Sequence, residues 1–138
     1  HISEDLVETV PAMVQKRLAK WEVLKKEINP PEELQVEDAD TILVGWGSSR
    51  GALEEAVDLL REKGFKVGMV HFTELWPLSD YQCSGKADLW TVESSAAGQL
   101  DRLLRCEYDV SFKRRIRRYD GLPLSAEYIK REFHAEHR

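Results

Sequence analysis

From Thr41 onward, short apolar runs alternate with amphipathic segments, and this alternation constrains the fold more than any other feature of the sequence. The run over residues 41–47 is almost wholly apolar, which is typical of a strand buried on both faces. The next segment places its apolar side chains at three- and four-residue steps, namely Leu53, Ala56, Val57 and Leu60. That spacing predicts a helix with one buried face, and Gly64 follows it at the position where helices commonly end.

The same pattern continues to the end of the chain. Further strands are predicted over residues 66–72, 87–93 and 112–119, with helices after residue 97 and over residues 125–136. Strand–helix–strand connections are right-handed and make neighbouring strands parallel. The sequence therefore predicts an α/β fold in three layers, with a doubly wound, mainly parallel sheet of four to five strands.

The first forty residues have a different pattern. Residues 10–28 carry apolar side chains on one helical stripe, with Thr9 as a candidate N-cap, and Asn29-Pro30-Pro31 is expected to end the helix. Residues 30–40 are rich in Pro, Glu and Asp and lack periodicity, so we interpret them as a linker. We thus expect a helix and linker over residues 1–40, joined to a domain over residues 41–138. The apolar stripe must pack on that domain or on an absent one.

Composition excludes several classes of protein. Of 138 residues, 42% are hydrophobic and 33% charged, which is typical of a folded domain. No apolar run approaches the ~18–20 residues of a membrane span, and no signal peptide precedes the first segment. Cys83 and Cys106 lack partners at metal-ligand spacing, so we expect two reduced, partly buried thiols in a cytoplasmic protein. The start at His1, without a Met, is typical of a fragment of a longer polypeptide.

Basic residues are concentrated near the carboxyl end. Residues 101–138 hold ten basic and seven acidic side chains, although the whole chain has a net charge of −5. The run Lys113–Arg118 is too short, on an acidic chain, to predict a nucleic-acid interface, which needs many phosphate contacts. We interpret it as a solvated edge strand or a surface for an acidic partner.

A glycine-rich turn joins the first strand of the domain to its helix. Gly45-Trp46-Gly47-Ser48-Ser49-Arg50-Gly51 has the spacing G-x-G-x-x-x-G, one residue longer than the dinucleotide fingerprint. The turn is compatible with a purely steric role or with an anion held by backbone N–H groups and Arg50. It is also compatible with a complete NAD site.

Other candidate residues follow the third strand of the domain. Glu93 ends that strand, where parallel sheets place ligand-facing residues, so a ligand or a neighbouring domain is its expected contact. No nucleophile–base pair or metal motif is present, and His71 is interpreted as an ordinary strand histidine. No catalytic residue and no metal ligand is predicted. The candidate contact residues are Gly45, Gly47, Ser48, Arg50, Glu93, Gly98 and Gln99.

Several motifs, taken in order, resemble one family over nearly the whole chain. They are His1–Asp5, Lys16-Arg17-Leu18, Val44–Ser48 with Gly51, Leu75-Trp76-Pro77-Leu78, Val92-Glu93 with Gly98-Gln99-Leu100, and Tyr119-Asp120-Gly121. The chain resembles the C-terminal, transketolase C-terminal-like domain of the alpha subunit of 2-oxoacid:ferredoxin oxidoreductases. It departs from that family at Ser94-Ser95-Ala96, where an acidic or amide residue and an aromatic one are common.

The resemblance implies an enzyme that oxidatively decarboxylates a 2-oxoacid, with 2-oxoglutarate as the expected substrate, to its acyl-CoA. It also implies thiamine diphosphate, Mg and iron–sulfur clusters held elsewhere in the holoenzyme, with ferredoxin as the electron acceptor. The expected partners are the other alpha-subunit domains and the beta subunit, without nucleic acid or membrane. This segment is then a structural and interface domain, inactive alone.

Two other interpretations remain open from the residues themselves. The chain could be a free-standing nucleotide- or CoA-binding module that uses the turn Gly45–Gly51. It could also be a regulatory module that senses CoA or another anion through Arg50 and the basic strand.

Overall fold

The computed structural model describes residues 6–82 and 85–136. The sequence features at His1–Asp5, Cys83 and His137 lie outside these ranges. The helices are α1 (Thr9–Leu24), α2 (Arg50–Arg61), α3 (Gln99–Tyr108) and α4 (Ala126–Glu136). The strands are β1 (Glu32–Leu34), β2 (Thr41–Trp46), β3 (Val67–Phe72), β4 (Asp88–Glu93) and β5 (Arg114–Arg117).

One five-stranded sheet, in the order β1-β3-β2-β4-β5, forms the middle of the molecule. All its pairs are parallel except β1 with β3. One face is covered by α2 and α4, whose side chains Leu53, Leu60 and Phe133 share a buried cluster with Leu43 and Trp90. The opposite face is covered by α3, through side chains such as Leu100 and Leu104. The predicted three-layer, mainly parallel α/β fold is confirmed.

The predicted linker contains a strand. Glu32–Leu34 pairs antiparallel with β3, so part of the acidic segment extends the sheet. The Arg61 guanidinium holds this segment in place, with Nη2 donating to Gln35 O at 2.8 Å and pairing with Asp38 Oδ1 at 2.6 Å. The hydrogen bond that Arg61 donates to Asp38 lowers the pKa of the Asp38 carboxyl below its usual value. Periodicity could not reveal β1, because three residues are too few and the contacts that order them are distant in sequence.

Helix α1 is shorter than predicted and has no buried residue. It ends at Leu24 instead of residue 28, and its N-cap is Glu8, without a side-chain cap hydrogen bond, instead of Thr9. Its contact with the rest of the chain includes Trp21, whose ring centroid lies 5.3 Å from that of Trp76. The apolar stripe is therefore largely open to solvent.

The basic run near the carboxyl end is paired within the chain. β5 is an edge strand, as the sequence predicts. Its arginines bind acidic groups on the neighbouring helices, with Arg114 on Glu136 and Arg115 on Asp101. Lys113 likewise pairs with Asp88. These ion pairs neutralise much of the positive surface within the chain itself.

Within the part of the chain that the structure describes, no helix is both long and apolar enough to cross a membrane.

Candidate functional site

A small cavity lies at the carboxyl edge of the sheet, between the ends of β2 and β4. After β2 the chain crosses to β3 on one side, whereas β4 lies on the other side of β2. Ligands of open α/β sheets bind at such a switch point, because the diverging connections leave a crevice there. The cavity measures about 230 Å³ and is lined by Trp46, Gly47, Ser48, Ser49, Glu93, Ser94, Ser95 and Gln99.

The turn after β2 is shaped by close packing. A Cβ atom on Gly45 would collide with Leu53 Cδ1 and lie 2.7 Å from Ser49 Oγ, so this glycine lets α2 approach the strand. Ser49 closes the turn, since its Oγ accepts from Trp46 N at 3.1 Å and donates to Trp46 O at 2.8 Å. Gly47 has a φ of 58°, a conformation that glycine adopts without steric cost.

His71 stabilises the turn after β2 through a hydrogen bond. Its side chain is buried, and Nε2 lies 3.0 Å from Gly47 O, which only an N–H on Nε2 can satisfy. In that tautomer Nδ1 carries a lone pair, and it has no hydrogen-bond partner among the described residues. The predicted role as a strand histidine agrees with this position, and the hydrogen bond adds a specific contact to the turn.

Glu93 places a buried carboxylate in the cavity wall. The residue is 1% exposed. Its Oε2 accepts from Leu100 N at 3.0 Å, in the first turn of α3, where a negative group complements the helix dipole. Its Oε1 is buried and has no partner among the described residues. One carboxylate oxygen therefore holds α3, and the other has no hydrogen bond among the described residues.

Gly98 lies outside the cavity lining and packs against a side chain of β5. It has a φ of 67°, and the Arg117 guanidinium occupies the space that a side chain here would fill. Arg117 Nη1 lies 3.3 Å from Ala96 O, and Nη2 lies 3.9 Å from Asp101 Oδ2. Arg117 thus fastens the loop before α3 to β5.

Arg50 does not point to an anion site. Its Nε lies 2.6 Å from Glu32 Oε2 and its Nη1 lies 3.1 Å from Glu54 Oε2. The hydrogen bond that Arg50 donates to Glu32 raises the pKa of this guanidinium. Because β1 supplies the carboxylate that occupies Arg50, the anion-binding role predicted for this residue has no support in the structure.

The structure brings four of the seven candidate residues together. Gly47, Ser48, Glu93 and Gln99 line the cavity, whereas Gly45, Arg50 and Gly98 do not. The remaining lining residues were not among the candidates, namely Trp46, Ser49, Ser94 and Ser95. The sequence signals these residues only by their position next to candidate residues. Trp46 lies between Gly45 and Gly47, and Ser94 and Ser95 come directly after Glu93.

The described residues do not fit a metal centre. Among residues 6–82 and 85–136, no group of three or more His, Cys, Asp or Glu side chains could hold a metal ion. Cys106 is free and exposed, so the expectation of a partly buried thiol is wrong at this position. An iron–sulfur cluster needs converging thiolates, which the described residues do not supply.

Comparisons with known proteins give one consistent result. Residues 39–96 match the family model of the pyruvate:ferredoxin oxidoreductase core domain II. The chain is 32% identical over 135 residues to the alpha subunit of 2-oxoacid:ferredoxin oxidoreductase 1 from Aeropyrum pernix. That alignment covers 90% of this chain and 21% of the relative, so the chain spans about a fifth of the relative's length.

Solved structures agree with the sequence comparison. A 2-oxoglutarate:ferredoxin oxidoreductase from Magnetococcus marinus, with 2-oxoglutarate, coenzyme A and succinyl-CoA bound, has 26% identity and a TM-score of 0.81. The match covers 98% of this chain and 24% of that one. A transketolase from Pichia stipitis, at 13% identity and a TM-score of 0.56 over 77% of this chain and 18% of its own, shows the fold alone. The chain is therefore a homologue of the alpha subunits of 2-oxoacid:ferredoxin oxidoreductases, over a part that has the transketolase C-terminal-like fold.

Proposed function

We propose that this chain is a structural and interface domain of a 2-oxoacid:ferredoxin oxidoreductase alpha subunit. The complete enzyme oxidatively decarboxylates a 2-oxoacid to its acyl-CoA and passes the electrons to ferredoxin. The homology over 90% of the chain supports this proposal. Because the chain spans only about a fifth of that relative, the activity belongs to the complete protein, and this segment alone is inactive.

The exposed apolar stripe of α1 is the main support for the interface role. None of the helix residues is buried, and Leu18 is 63% exposed. Further apolar side chains are exposed on and before the helix, namely Leu6, Val7, Val10, Met13, Val14, Val23 and Leu24. Exposed apolar side chains grouped on one helix favour a protein–protein contact. We assign the contact to the remaining alpha-subunit domains, with the beta subunit completing the assembly.

The cofactors of the reaction belong to other parts of the enzyme. Thiamine diphosphate with magnesium and the iron–sulfur clusters are assigned outside this domain, since its described residues offer no metal-binding group. CoA and ferredoxin are partners of the complete enzyme, which we place in the cytoplasm. The function of the present chain is then to hold the catalytic parts in their relative positions.

We propose 2-oxoglutarate as the substrate. The support is the similarity to the Magnetococcus marinus enzyme, whose structure contains 2-oxoglutarate and succinyl-CoA. Because the chain spans about a fifth of the similar alpha subunit, we assign the substrate specificity to the rest of the protein.

The test is a steady-state assay of the complete alpha subunit purified with its beta subunit. CoA-dependent reduction of ferredoxin is measured with 2-oxoglutarate, pyruvate and a branched-chain 2-oxoacid. We expect the highest kcat/KM with 2-oxoglutarate, and no reduction without CoA. A higher kcat/KM for another 2-oxoacid would contradict the substrate alone, whereas no turnover of any 2-oxoacid would contradict the family assignment of the activity.

A further inference from the structure

The unpaired oxygen of Glu93 is not explained by the packing of the domain. A buried carboxylate is costly unless both oxygens are hydrogen-bonded. Oε2 is used by Leu100 N, but Oε1 has no partner among the described residues. Holding α3 would need one oxygen only. The second oxygen therefore lacks a donor among the described residues, and a donor from outside them would reach it through the adjoining cavity.

The side chains of the cavity beside Glu93 suit a ligand that donates hydrogen bonds. Its other polar side chains are neutral: three serines, Ser48, Ser94 and Ser95, and Gln99, while Ser49 is already paired with the Trp46 backbone. Trp46 lines the opening and is 43% exposed, which leaves room for contact with a planar group.

No basic side chain lines this cavity among the described residues. The two arginines that flank it in the fold are engaged elsewhere. Arg50 is bound by Glu32 and Glu54, and Arg117 lies on Ala96 O and near Asp101. A phosphate or carboxylate ligand would meet the Glu93 carboxylate without a basic side chain to offset the repulsion. Both α2 and α3 begin at this cavity, but the first turn of α3 already binds Glu93 Oε2, so a ligand that donates hydrogen bonds is favoured.

The position of the cavity supports ligand binding independently of its chemistry. It lies where β2 and β4 end side by side and their connections diverge. The wall formed by the turn is held by the His71–Gly47 and Ser49–Trp46 hydrogen bonds. At about 230 Å³ it is smaller than the ~300–1,000 Å³ of drug-sized pockets, so its ligand is small.

We propose that this cavity binds a small cationic ligand through an ammonium or amidinium group that donates to Glu93 Oε1. A charge-assisted hydrogen bond of this kind is stronger than a neutral one and would pair the open carboxylate oxygen. The serine hydroxyls and the Gln99 amide then orient the group, and the Trp46 indole contacts its planar part. The proposal is independent of the 2-oxoacid activity.

Benzamidine and benzoate form a matched pair of probes, since both are planar rings of similar shape and only benzamidine offers N–H donors. Binding to the full chain is followed by calorimetry and by NMR of the Trp indole N–H signals, assigned with Trp46→Phe. We expect saturable benzamidine binding that shifts the Trp46 signal, and benzoate at least about tenfold weaker. Equal or tighter binding of benzoate or inorganic phosphate would overturn the proposal.

Glu93→Gln keeps the shape and an acceptor for Leu100 N but removes the charge. We expect it to weaken benzamidine at least about tenfold. The matched control is Glu62→Gln, an exposed carboxylate outside the cavity, which leaves the affinity unchanged. Unchanged affinity in Glu93→Gln would contradict the assignment. If Glu93→Gln does not fold, the Trp indole N–H signals of the wild-type chain decide. Benzamidine-induced shifts confined to Trp21 or Trp76 would place the binding in the separate cleft that these two residues line, and would overturn the proposal.

Discussion

Gly45 lets β2 and α2 approach each other closely at the carboxyl edge of the sheet. The space beside its Cα is filled by the Leu53 and Ser49 side chains, and Val92 O lies 3.3 Å from where a Cβ would be. The residue therefore acts through packing: it positions the turn that forms one wall of the cavity, without contacting a ligand there.

Replacing Gly45 by Ala should lower the free energy of unfolding by about 1–3 kcal/mol, the usual cost of overpacking a core. Gly51 is the matched control. It lies in the first turn of α2, and nothing would be within 4 Å of an added Cβ. Gly51→Ala should leave the stability unchanged or raise it by up to about 1 kcal/mol, since it removes backbone entropy from the unfolded chain. Urea titrations measure the free energy of unfolding of both variants. Equal changes in the two variants would contradict the packing role of Gly45.

At the scale of elements, the sheet edge is held by ion pairs between β5 and the helices. Asp101 lies in α3 and is buried, and it accepts from Arg115 Nε at 3.0 Å and Nη2 at 3.3 Å. Arg114 reaches Glu136 of α4 in a similar way, but with both side chains half exposed. The edge strand is thus fastened on both faces of the sheet.

Asp101→Asn should destabilise the domain by about 1–3 kcal/mol, because the Arg115 guanidinium loses its charged partner in a partly buried place. The control is Asp88→Asn, which breaks the exposed pair with Lys113 and should cost less than about 1 kcal/mol. Denaturant unfolding at pH 7 measures both. A larger loss in the control would show that exposure does not govern the strength of these pairs.

At the scale of the whole molecule, α1 has no buried residue, and its apolar stripe is exposed to solvent in the isolated chain. Leu18→Asp should change the thermal stability of the chain by less than about 0.5 kcal/mol, because this side chain is exposed. In the complete protein it should impair the packing of α1 on the remaining alpha-subunit domains, and through it the assembly with the beta subunit, because a charge would then be buried in that contact. Thermal unfolding of the chain measures the first effect, and sedimentation and ferredoxin reduction by the complete enzyme measure the second.

Gln15→Asp is the control for α1, since it adds the same charge on the same helix at a residue outside the apolar stripe. It should assemble normally. If Leu18→Asp assembles and turns over like Gln15→Asp, the docking role of α1 is wrong.

Much of the fold was predictable because it depends on local patterns. The buried strands and the helix over Arg50–Arg61 follow from the spacing of apolar side chains, and Gly64 ends that helix with a φ of 87°. The candidate cavity was partly predictable for the same reason, since Gly47 follows the end of β2 and Glu93 is the last residue of β4. Ser94 and Ser95 carry no local signal beyond their adjacency to Glu93.

Periodicity by itself determined the order of the elements from Thr41 onward, the buried faces of their helices and the layered α/β class, because each depends on side chains within one or two turns of chain. Only the tertiary structure decided that Glu32 occupies Arg50, that Glu32–Leu34 joins the sheet and that one oxygen of Glu93 is left open. These outcomes depend on contacts between residues far apart in sequence. Burial and charge pairing there are properties of the packed chain, and no local window contains them.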